Sequence, residues 1–81
     1  MSDEPVLTLD TLGRRCPVPV IELARHITSV DVGAVVEVLT DDDAATIDVP
    51  VWCRMKGHTY LGAAPLDAPG KGRSLTVRRT R

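Results

Sequence analysis

The chain has 81 residues, 43% of them hydrophobic and 26% charged, with a formal net charge of −1. That describes one small soluble domain over residues 1–81, able to bury a single thin core but not to enclose a large substrate cavity. Trp52 and Tyr60 are the only aromatic residues and there is no Phe, so direct nucleic-acid binding through a sheet of stacking rings is not expected.

Two cysteines are too few for a disulfide-stapled secreted module, and the opening MSDEPV carries neither a basic nor an apolar signal segment. No apolar run approaches the ~20 residues a membrane span needs, so a cytoplasmic protein without membrane contact is expected. Charge is uneven along the chain, −7 over residues 1–50 and +6 over residues 51–81. Mutual neutralisation on folding accounts for this better than a polyanion site.

Val6 to Asp10 alternates as a half-buried strand, and Thr11 to Arg15 is a short connection. From Pro17 to about Ser29 the period becomes helical: Val20, Leu23, Ala24 and Ile27 share one face, and Glu22, Arg25, His26 and Ser29 the opposite one. Asp31-Val32-Gly33 ends the helix and residues 34–40 form a second, β-branched strand. Asp41-Asp42-Asp43 caps a second helix, about Ala44 to Lys56, with Ala45, Val49, Trp52 and Cys53 inward. Pro50 predicts a kink or two short pieces, with Asp48 capping the second. After Gly57 come a strand over His58 to Ala64, a loop over Leu66 to Arg73, and a last strand over Ser74 to Thr80. The βαβαββ order predicts an α/β two-layer sandwich: a mixed four-stranded sheet with both helices on one face and a closing antiparallel hairpin.

Reactivity converges on Gly13-Arg14-Arg15-Cys16-Pro17-Val18-Pro19. Pro17 and Pro19 suit the first turn of a helix, where backbone N–H groups have no intrahelical partner. Cys16 then sits at the helix start, and Gly13 supplies an unusual backbone angle before it. The helix dipole, the free N–H groups of Val18 and Val20, and Arg14 and Arg15 are expected to lower the thiol from about 8.5 into the range of ~3.5–7.5. No base adjacent in sequence completes a Cys–His hydrolytic pair, so the reading is a nucleophile that exchanges sulfur-type groups. A plain helix-capping cysteine is the bland alternative.

The run from Leu9 to Pro19, followed by Asp41 to Pro50 and then Cys53 and Gly57-His58, resembles the TusA/SirA family of small sulfur-carrier proteins over essentially the whole chain. The Cys-Pro-x-Pro motif in its Leu-Asp-x-x-Gly-x-x-Cys setting is its most specific part. Asp43 stands where a proline often follows the family's paired aspartates. The resemblance implies the βαβαββ sandwich. It also implies that Cys16 takes sulfane sulfur as a persulfide from a cysteine desulfurase or rhodanese-like donor and passes it to an acceptor protein. The carried group is covalent and no cofactor is implied.

Among the other residues, Cys53 lies on the apolar stripe of the second helix and is read as a core thiol. Cys16, His26, Cys53 and His58 lack zinc-site spacing, so no metal is expected. Asp42 and Asp48 are read first as caps and second as support for the sulfur site, and Arg25 as a docking candidate. A monomer is expected. Two other functions compete: a regulatory or RNA-associated module using Lys71, Arg73, Arg78, Arg79 and Arg81, and a thiol redox sensor.

Overall fold

A computed structural model describes residues 4–66 and 72–81. Its elements run β1 (Pro5–Asp10), α1 (Val18–His26), a 3-10 turn (Ile27–Ser29), β2 (Val35–Thr40), α2 (Asp43–Lys56), β3 (Thr59–Pro65) and β4 (Arg73–Arg78). The sheet order is β1-β2-β4-β3, with β1 and β2 parallel and β4 antiparallel to both its neighbours. This is the predicted α/β architecture. Most of the predicted loop over Leu66–Arg73, including Lys71, lies outside the described residues.

The alternation of β2 explains the two layers. Val36 and Val38 sit opposite Val77 and Leu75 of β4 and are fully buried, packing with Leu23 of α1, Ile27 of the 3-10 turn, and Ala45, Val49 and Cys53 of α2. The intervening Glu37 turns to the other face, where its carboxylate accepts from Thr8 Oγ1 at 3.0 Å and from the Ser74 hydroxyl. That face is polar in part, and Val35 and Leu39 share it with Glu37. The partial neutralisation of the two chain halves includes an Arg73–Asp43 ion pair at 3.0 Å. Arg78 and Arg79 also donate to the carbonyls of Gly33 and Val30.

Helix α2 corrects the expectation of two short pieces, because it runs unbroken from Asp43 to Lys56 with Pro50 inside it. An interior proline costs ~3 kcal/mol or more. Each fully buried valine-sized side chain returns about 1.5–3 kcal/mol, and Ala45, Val49 and Cys53, on both sides of Pro50, are at most 1% exposed. Packing therefore outweighs the missing bond, and Asp48 is left without a second helix to cap. Gly57, at φ +79°, closes α2, and the half-buried Trp52 stacks on His58 with ring centroids 5.4 Å apart.

One close approach bears on the site. A Cβ at Gly72 would lie 2.2 Å from the Thr40 carbonyl oxygen and 2.9 Å from Asp41 Cα, and its φ is +103°. Only glycine lets the chain entering β4 pass this close to the β2–α2 junction.

Candidate functional site

Because β1 and β2 are parallel, the connections leaving them emerge at the same edge of the sheet. The first carries Cys16 and the second carries Asp41 and Asp42. Thr11, 1% exposed, pins the first connection by giving both its N–H (2.9 Å) and its hydroxyl (2.6 Å) to the Leu39 carbonyl. Gly13, at φ +79°, donates its N–H to Asp41 Oδ2 at 3.0 Å. The backbone N–H of Cys16 donates to Asp42 Oδ2 at 2.6 Å, while Asp42 Oδ1 accepts from Ala44 N at 2.9 Å and caps α2. A single carboxylate thus starts the second helix and holds the cysteine backbone.

The Cys16–Pro17 peptide is cis. Helix α1 begins at Val18 with Pro17 as its N-cap, so Pro17 and Pro19 sit one position earlier than predicted. Cys16 is half-buried and free, and its Sγ donates to Asp48 Oδ2 at 2.9 Å.

The electrostatics correct the sequence-based expectation. Burial, then the hydrogen bond to Asp48, then the charges of Asp48 and Asp42 push the Cys16 thiol up to about 11. The predicted lowering fails for geometric reasons. The Val18 N–H is already bonded to the Arg15 carbonyl at 3.0 Å, and the thiol is engaged by the Asp48 carboxylate of α2. Arg14 lines a groove with Leu9, Asp10, Thr11 and Glu22, whereas the Arg15 charge acts on Asp42.

Gly13, Asp42 and Asp48 are thus brought together around Cys16. Arg25 is not among them, and pairs with Glu22 of its own helix at 3.8 Å. Sequence reasoning missed Asp41 and Thr11 as clamps, and named Asp48 as support for the sulfur site without giving it the thiol as its partner. The parallel β1–β2 pairing was the signal that could have placed Asp41 and Asp42 beside Cys16. Cys53 is 1% exposed in the core, and burial raises its thiol to about 11.

The Asp42 carboxyl is held below its ordinary value chiefly by the Cys16 N–H, then by the Ala44 N–H. A depressed carboxyl contributes stability that is present above its unfolded value of about 3.9 and is lost as pH falls through the folded one. Asp42→Asn keeps only one acceptor oxygen for two donors. It is expected to lower the melting temperature at pH 7 by roughly 4–8 °C and to flatten its decline toward pH 3, as circular-dichroism melts would show.

The two-layer βαβαββ sandwich places a free, half-buried thiol between the two connections that leave its parallel strands. The sequence model of the family described as Sulfurtransferase TusA matches residues 7–79, and the chain belongs to that family. A proposed sulfur carrier protein of Archaeoglobus fulgidus is 38% identical over 56 residues, covering 69% of this chain and 77% of that protein. The crystal structure of a SirA-like protein from Desulfitobacterium hafniense superposes with a TM-score of 0.79 at 25% identity, covering 94% of this chain and all of that one.

Proposed function

We propose that the protein carries sulfur as a persulfide on Cys16, receiving it from a donor protein such as a cysteine desulfurase or rhodanese-like protein and relaying it to an acceptor. Family membership supports the carrier role. The observation that carries the residue assignment is Cys16 itself, a free thiol held from its backbone by Asp42 and from its side chain by Asp48 at the edge where both connections emerge.

In loading, the Cys16 sulfur attacks the outer sulfur of the donor persulfide. The donor's S–S bond breaks, its inner sulfur leaves as a thiolate, and a new S–S bond forms on Cys16. In unloading, an acceptor nucleophile attacks the carried terminal sulfur and Cys16 leaves. Docking between proteins replaces a deep pocket, and the exposed Ile21 of α1 and Ile47, Val51 and Met55 of α2 offer apolar contact area for it. Among the described residues no helix is long and apolar enough to cross a membrane. The proposed setting is a cytoplasmic monomer without a resident cofactor, serving tRNA thiolation, molybdenum cofactor synthesis or sulfur-compound oxidation.

Intact-protein mass after incubation with glutathione persulfide, or with a cysteine desulfurase and cysteine, tests this. The expected result is a gain of one sulfur atom that reductant removes; no adduct from either donor defeats the reading.

A further inference from the structure

Asp48 has no role in building the helix that carries it. It is exposed and sits in the sixth position of α2, and among the described residues no cation pairs with it. Its Oδ2 instead accepts the Cys16 thiol at 2.9 Å. The charged groups around that thiol come from three segments: Asp48 on α2, Asp41 and Asp42 at the β2–α2 junction, and Arg14 and Arg15 in the thiol's own connection. Arg14 lines the groove with Asp10 and Glu22, and the charge of Arg15 acts on Asp42. The side facing Asp48 therefore presents a carboxylate bonded to a thiol, open to whatever docks there.

We propose that Asp48 is a latch on the carrier thiol: it holds Cys16 as a neutral, oriented S–H donor, and a cationic side chain brought by the sulfur donor pairs with Asp48 and frees the sulfur to attack. This rests on the carrier reading above and adds the donor chemistry that the site selects. A docked protein that covered Asp48 without pairing it would leave an uncompensated charge out of water, which is strongly unfavourable. A donor with a lysine or arginine at that point avoids the penalty and weakens the carboxylate's grip on the thiol proton.

The atoms balance without an oxidant or reductant. The Cys16 proton passes to the departing inner sulfur of the donor, one S–S bond breaks, one forms, and a single sulfane sulfur changes owner. The raised thiol described above agrees with this resting state. Asp48 is a positioning residue here, acting through Cys16.

Asp48→Asn preserves size and helix, and a cooperative circular-dichroism melt checks folding. Removing a carboxylate at this distance raises the thiolate fraction at neutral pH by roughly 10- to 1,000-fold. Because nucleophilicity falls as a thiol becomes more acidic, iodoacetamide labelling of Cys16 at pH 7.5 should rise by roughly 3- to 30-fold. The second arm compares thiol–disulfide exchange with dicationic cystamine and dianionic 3,3′-dithiodipropionate, each normalised to a neutral model thiol. The wild type should favour cystamine, and Asp48→Asn should lose much of that preference. Unchanged labelling in the variant, a wild-type preference for the dianion, or a cystamine preference that survives the substitution in full would overturn the latch. Sulfur uptake from glutathione persulfide is read separately by mass on the wild type, and its absence would sink the carrier reading itself.

Discussion

Cys16→Ser is expected to take up no sulfur from any persulfide donor, whereas Cys53→Ala still gains one sulfur atom per chain. A serine hydroxyl can replace the thiol in the hydrogen bond to Asp48 but cannot form the S–S bond that constitutes the cargo, so uptake is lost completely. Cys53 differs in every relevant respect. It is 1% exposed, packed with Ala45 and Val49 against the sheet, and no donor sulfur can reach it without opening the core. Its removal should show in a thermal melt and not in sulfur uptake. Peptide-resolved mass spectrometry of the loaded protein makes the distinction, and an adduct on Cys53 in the folded protein would overturn the assignment. The same pair bears on the redox-sensor alternative, since a core thiol is poorly placed to resolve an oxidised Cys16.

Leu75→Ala should have the largest effect on stability. Leu75 is fully buried on β4, opposite Val38 of β2 and Ala63 of β3. Truncating a buried leucine costs about 2–5 kcal/mol through lost transfer energy and the cavity left behind. Whole domains are stable by only about 5–15 kcal/mol, and a chain of 81 residues belongs near the lower end. A fall in melting temperature of roughly 8–40 °C is expected at the change of about 4–8 °C per kcal/mol that suits a domain of this size. Met55→Ala is the matched control, because Met55 is 75% exposed on α2 and surface changes of this kind usually stay within about 0.5 kcal/mol. Urea or thermal unfolding of the two variants side by side measures the difference.

The layered architecture was legible because it rests on periodicity. Leu7 and Leu9 and Leu75 and Val77 alternate along their strands, and Leu23 with Ile27 repeats at helical spacing, so the core-facing sides of those elements could be read directly, whereas β2 reads as nearly continuous in apolar character. Pro50 misled because local propensity was weighed without the packing of Ala45, Val49 and Cys53 on either side of it. The position of Cys16 was also legible, but its electrostatics were not. A thiol beside two arginines and a helix start reads as an acidic cysteine only if its side chain points along that helix. Its actual direction is set by the clamps at Thr11, Gly13 and Asp42, contacts 26–28 residues apart in sequence. Asp48, 32 residues from Cys16, is read from sequence first as a local cap and only second as support for the sulfur site, because nothing in its immediate neighbours reveals what lies across from it.

The strand order has a consequence for how the chain comes into being. β4 is the last strand in the chain, yet it lies inside the sheet and joins β3 to β2. While the protein is being synthesised, β1, α1, β2 and α2 can emerge and begin to associate, but β3 has no partner until residues 73–78 have left the ribosome. The edge of β2 stays open for the same interval, and an unpaired apolar edge of this kind is open to wrong pairing. Cys16 is made early, but the sheet that supports its clamps is closed only once β4 has been made.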